Sequence, residues 1–106
     1  MSKVKIASLQ LKVWQDKYEN IEKLAEILGS GAAEGADIIS LPEMWNCPYV
    51  TELFPEYAEP EQGDTWLAMS TLARKNNAYF VGGSIPEVEN GKVYNTCYVF
   101  DREGKQ

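Results

Sequence analysis

A glutamate stands directly after an apolar run that closes in proline: Ile38-Ile39-Ser40-Leu41-Pro42-Glu43. The run reads as a buried strand. Glu43 therefore falls at the carboxyl end of that strand, where open α/β sheets keep their sites. A carboxylate there is costly to desolvate unless it has partners or a task. Burial disfavours the charged form and raises the pKa, which suits a general base working near neutral pH. The chain has no histidine, so if it belongs to a hydrolase, Glu43 is the best candidate in this segment for proton transfer. On position alone two readings stand: a general base, or a helix N-terminal or loop carboxylate held by backbone amides.

Two cysteines offer nucleophiles. Cys47 lies close to Glu43 in sequence, but it precedes a proline and has no cation beside it to favour a thiolate, so it reads as a loop thiol. Cys97 falls mid-strand among apolar residues and reads as core. Tyr49, by its surroundings alone, reads as an aromatic that packs the loop. Asn46 and Asn95 are expected to hold loops by hydrogen bonds. Glu52, Glu56, Glu59 and Glu61 read as a solvated outer face, because their spacing fits no metal cage and no histidine accompanies them. No metal and no cofactor is expected.

Composition narrows the classes. At 106 residues the chain is one domain at most, and 44% hydrophobic residues suffice for a core. A net charge of -6 with no basic cluster argues against nucleic-acid and anionic-membrane partners. No apolar segment is long enough for a membrane span or a signal-peptide core. Two cysteines make no disulfide framework, so a reducing cytoplasm is expected.

The elements that must position these residues are legible as patterns. A first strand is expected over residues 3–11 and a second over 36–41, joined by a helix over 17–33. Asp16 caps that helix with Glu19 as its capping-box partner. Ile21, Leu24, Ala25, Leu28 and Ala32 form its inner stripe. Strand, helix, strand at this spacing is a βαβ unit with parallel strands. Residues 44–63 read as a long irregular loop rich in aromatic residues, and such loops are often functional. Asp64 is expected to cap a helix over 64–76 with Trp66, Met69, Leu72 and Ala73 inward. Strands over 78–85 and 92–101 form an antiparallel hairpin about Asn90-Gly91, both faces of the second at least half buried. Gly82-Gly83 lacks the lysine and helix start of a phosphate loop and marks close approach of a backbone or a substrate.

Four blocks taken together carry a resemblance. They are Leu41-Pro42-Glu43-Met44-Trp45-Asn46-Cys47-Pro48-Tyr49, Phe54-Pro55-Glu56-Tyr57-Ala58-Glu59, Gly82-Gly83-Ser84-Ile85-Pro86-Glu87, and Tyr94-Asn95-Thr96 with Phe100. In content and order they resemble the N-terminal part of the nitrilase, or carbon–nitrogen hydrolase, superfamily, with an ω-amidase-like branch nearest. The resemblance runs from Lys3 to Lys105. It implies an α/β chain that is the N-terminal part of an α-β-β-α four-layer sandwich. It also implies a Glu–Lys–Cys triad and a homo-oligomer, usually a dimer. Glu43 matches the triad glutamate, and Tyr49 matches a tyrosine bordering the substrate pocket. The family's lysine and cysteine fall past Gln106, so residues 1–106 are expected to be a portion of one longer domain.

The expected activity is hydrolysis of a small ω-amide through a cysteine acyl-enzyme. Glu43 is then the general base and a small-molecule amide the partner. Alternatives are a carbamoylase or other amidase with the same triad, and a non-catalytic α/β module that binds a partner. The 106-residue chain alone is expected to be inactive and poorly stable.

Overall fold

The computed structural model describes residues 2–106. In chain order the elements are β1 (Ile6–Ser8), α1 (Lys17–Gly29), β2 (Ile38–Ser40), α2 (Phe54–Tyr57), α3 (Asp64–Asn76), β3 (Tyr79–Val81), β4 (Ile85–Glu89), β5 (Lys92–Thr96) and β6 (Val99–Phe100). A 3-10 turn at Thr51–Leu53 leads into α2.

The βαβ expectation holds. β1 and β2 are parallel, and β2 and β3 repeat the arrangement through α3. β6 adds antiparallel to β3, giving the order β1-β2-β3-β6. β4 and β5 form a separate antiparallel ribbon. It turns at Asn90-Gly91, where φ is 52° and 75°, as a type I′ turn requires.

One face of the four-stranded sheet carries the core. Ala7, Ile39, Phe80 and Phe100 lie in register across it. They pack with Leu24 and Leu28 of α1 and with Met69, Leu72 and Ala73 of α3. The opposite face presents Ile6, Ile38 and Tyr79 in register, and Ile6 and Tyr79 are 62% and 46% exposed.

Several boundaries differ from expectation for physical reasons. The expected strand over 78–85 breaks into β3 and β4, and that over 92–101 into β5 and β6. Val81 pairs with Val99 and Ile85 with Thr96, so residues 82–84 oppose only 97 and 98. This is a bulge, and it bends the hairpin out of the sheet. Gly82 and Gly83 allow it. A Cβ at Gly82 would collide with Met69, and one at Gly83 with Cys97. The close approach is thus made by the side chains of Met69 and Cys97 and, at Gly82, by the Tyr98 carbonyl as well. Beyond the bulge the ribbon projects, and Lys92 to Asn95 are exposed on both faces, unlike the half-buried strand expected. Cys97 is likewise exposed rather than core.

Helix α1 starts as expected. Asp16 Oδ1 accepts the Tyr18 N–H at 2.9 Å, although no reciprocal bond from Glu19 forms among the described residues. The helix ends at Gly29, short of 33, with Ser30 as its C-cap. Ala25 and Ala32 are exposed, and Ala33 is buried in place of Ala32. The long loop is less irregular than expected. Pro55 sits in the first turn of α2, where its fixed φ suits a helix start. Helix α3 is capped by Gly63, with Asp64 inside its first turn.

Candidate active site

Glu43 opens a tight turn that follows β2. The next residue, Met44, has φ of 51°. A bulky residue in the left-handed region costs about 1–3 kcal/mol and persists only where the surroundings hold it. Ser84, in the bulge, does so. The Met44 N–H donates to Ser84 Oγ at 3.2 Å, and the Trp45 N–H donates to the Ser84 carbonyl at 3.1 Å. This turn sends Met44, Trp45, Asn46 and Cys47 inward, all buried. It leaves Glu43 exposed, which corrects the expectation of a buried carboxylate. Asn95 Nδ2 of β5 donates to Glu43 Oε2 at 2.8 Å.

Behind the turn lies a buried polar network, in which Asn46 makes the hydrogen bonds expected of it. Glu59 is buried, not part of an outer face. Its Oε1 accepts the Thr65 N–H at 2.9 Å, so it supplies the side-chain cap of α3 that was expected from Asp64. Its Oε2 accepts from the Thr65 hydroxyl and from Asn46 Nδ2 at 3.5 Å, and pairs with Lys17 Nζ at 3.2 Å. Asn46 Nδ2 also donates to Thr65 Oγ1 at 3.1 Å. Asn20, buried on α1, donates to the Asn46 carbonyl at 3.0 Å and closes a reciprocal pair with the Trp14 backbone. α1 and α3 thus grip the turn from one side and Ser84 from the other.

A signal for two of these residues was present. Asn20 stands in line with Leu24 and Leu28 at helical spacing, a polar side chain on an apolar stripe. Glu59 precedes the Gly63-Asp64-Thr65 helix start, within reach of its free N–H groups.

The remaining candidates are spread apart. Tyr49 is 63% exposed, with its ring edge-on to Phe54 at 5.5 Å. No hydrogen bond joins it to Glu43 among the described residues. Cys47 is fully buried, and burial pushes its thiol up to about 11. That keeps it protonated and a poor nucleophile. Glu87 on β4 accepts from Thr96 Oγ1 at 2.9 Å and from the Tyr98 hydroxyl. Burial, then this bond, pushes the Tyr98 phenol up.

The sequence of the carbon-nitrogen hydrolase family matches residues 5–106, a span that holds the Glu43 turn, the Ser84 bulge and Asn95. The chain belongs to this family. Mouse omega-amidase NIT2 is 42% identical over 104 residues, covering 98% of this chain and 38% of that protein. Nitrilase homolog 2 of Dictyostelium discoideum is 42% identical over 103 residues, covering 95% and 31%. The chain therefore spans under two-fifths of the length of these relatives. Among solved structures, Nit3 of Saccharomyces cerevisiae, a member of branch 10 of the nitrilase superfamily, has a TM-score of 0.87 at 32% identity. The match covers 96% of this chain and 41% of Nit3. XC1258 of Xanthomonas campestris, a CN-hydrolase superfamily protein, superposes at 0.86 with 24% identity, over 98% of this chain and 38% of its own. The chain has the fold of the N-terminal part of the nitrilase superfamily, one helical layer on one sheet.

Proposed function

We propose that this chain is the N-terminal portion of a carbon–nitrogen hydrolase domain that hydrolyses a small ω-amide, the monoamide of a dicarboxylic or 2-oxo dicarboxylic acid. The observation that carries the reading is Glu43, held at the end of β2 by a left-handed turn and by Asn95, inside a span that matches the family. Similarity to omega-amidases along nearly the whole chain supports the substrate class. In this reading a lysine and a nucleophilic cysteine follow Gln106, and the second sheet of the sandwich covers the open face of Ile6, Ile38 and Tyr79. The protein works in the cytoplasm as a homodimer or larger assembly. No helix among the described residues is long and apolar enough to cross a membrane.

The chemistry follows from what an amide demands. A free thiol, with a pKa of about 8.5, is mostly protonated at neutral pH. Glu43 accepts the thiol proton while sulfur attacks the amide carbon. The lysine ammonium stabilises the negative oxygen of the tetrahedral intermediate. Glu43 then passes the proton to the nitrogen, the C–N bond breaks, and ammonia leaves. Water, deprotonated by Glu43, hydrolyses the thioester and restores the thiol. Cys47 takes no part, because its thiol is buried and stays protonated. Tyr49 contacts the substrate.

The test is ammonia release from succinamate by the full-length protein. Glu43→Gln keeps the shape but cannot accept a proton. Turnover falls by about 10²-fold or more, the scale of lost general-base help, and the melting temperature holds. Tyr49→Phe is milder and raises KM more than it lowers kcat. Near wild-type turnover by Glu43→Gln removes the assignment and favours a partner-binding α/β module.

A further inference from the structure

We propose that Asn95 is a positioning residue for Glu43. It holds one carboxylate oxygen so that the other, Oε1, is the one that exchanges protons. This rests on the reading of Glu43 as general base.

An ionised carboxylate only accepts hydrogen bonds, so the Asn95 amide must present its nitrogen to it. Asn95 Nδ2 stands 2.8 Å from Oε2, and a hydrogen bond to a carboxylate is roughly twice as strong as one between neutral groups. Oε2 is engaged and Oε1 is left for the reacting proton. A carboxamide suits the task. It carries no charge and gives up no proton near neutral pH, so it orients the base without competing with it.

Asn95 is itself fixed by the ribbon. It pairs with Pro86 across β4 and β5, and its neighbour Thr96 pairs with Ile85. Glu87 ties β5 back to β4, taking the Thr96 hydroxyl at 2.9 Å and the Tyr98 hydroxyl. The other strand of the same ribbon begins directly after Ser84, which holds the Met44 and Trp45 N–H groups. One ribbon thus grips the backbone of the turn through Ser84 and the carboxylate of the turn through Asn95. Two independent contacts define where Glu43 stands and which way its carboxylate faces. A misplacement of about 1 Å in a catalytic group can cost about 10²-fold in rate.

The experiment uses the full-length protein with succinamate, reading kcat, KM and melting temperature. Asn95→Ala lowers kcat by about tenfold or more while KM stays within about twofold. Asn95→Asp is isosteric but sets a carboxylate against Glu43, and lowers kcat further than Asn95→Ala. In a Glu43→Gln background, Asn95→Ala adds little, because two residues acting through one step are not additive. Melting temperatures of both Asn95 variants stay near that of the unchanged protein. The proposal is overturned if Asn95→Ala keeps kcat within about twofold, if Asn95→Asp works as well as the unchanged protein, or if the two losses multiply. Glu43→Gln alone separates the two readings. When it abolishes turnover and Asn95→Ala does not lower it, only the positioning role fails. When it leaves turnover intact, the general-base reading fails first.

Discussion

Lys17 Nζ lies 3.2 Å from Glu59 Oε2, with side chains only 16% and 8% exposed. The pair joins the first turn of α1 to the segment that leads into α3. Glu59 also caps α3 and receives Asn46, three residues after Glu43, so the ion pair belongs to the frame behind the turn.

Breaking one partner of such a pair leaves a poorly hydrated charge alone, which costs about 3–5 kcal/mol in buried cases. Lys17→Met and Glu59→Gln should each lower stability by about 3 kcal/mol, the lower end of that range. Glu59→Ala should cost about 1 kcal/mol more through the lost helix cap. Urea midpoints of the three variants measure this. A midpoint unchanged in Glu59→Gln would show that the carboxylate is dispensable.

The two cysteines should differ in reactivity. Cys47 is fully buried and its thiol is pushed up to about 11, whereas Cys97 is exposed. Iodoacetamide at about pH 8 should label Cys97 in the folded chain and reach Cys47 only after unfolding. Peptide mapping by mass spectrometry reads both sites. Rapid labelling of Cys47 in the native protein would contradict the buried turn.

Acid should weaken one tie between the sheet and the C-terminal turn. Asp37 is held below its ordinary value of 3.8, first by the Lys5 backbone N–H at 2.9 Å and then by the Arg102 guanidinium at 2.8 Å. A carboxylate with a depressed folded pKa stabilises above its unfolded value and loses that contribution as pH falls through the folded one. Asp37→Asn should therefore be less stable than the unchanged chain at about pH 7, with the gap closing toward about pH 3. Thermal melts at both values test it, and a gap that widens in acid would reverse the sign.

The local patterns were readable because their causes are local. Asp16 before an apolar stripe starts a helix, and Asn90-Gly91 turns a hairpin, whatever lies elsewhere in the chain. The position of Glu43 just past β2 followed from Pro42 closing the strand. Glu59 was misread because an acid among prolines and aromatics looks solvated until Lys17, Thr65 and Asn46 are brought to it from three other segments. Cys97 and β5 were misread because alternating apolar residues signal a strand but not what covers it. The bulge at 82–84 takes the ribbon out of the four-stranded sheet and leaves β5 exposed on both faces.

By itself the sequence determined the parallel βαβ start, the helix that follows the long loop, the hairpin turn and the family, since periodicity, caps and short motifs act over a few residues. Only the tertiary structure decided that Glu43 faces outward and that Asn95, 52 residues away, meets its carboxylate. That contact depends on strand register and on one extra residue in a bulge. A shift of one residue turns every side chain of a strand to the other face, and no local pattern records which register the assembled sheet selects.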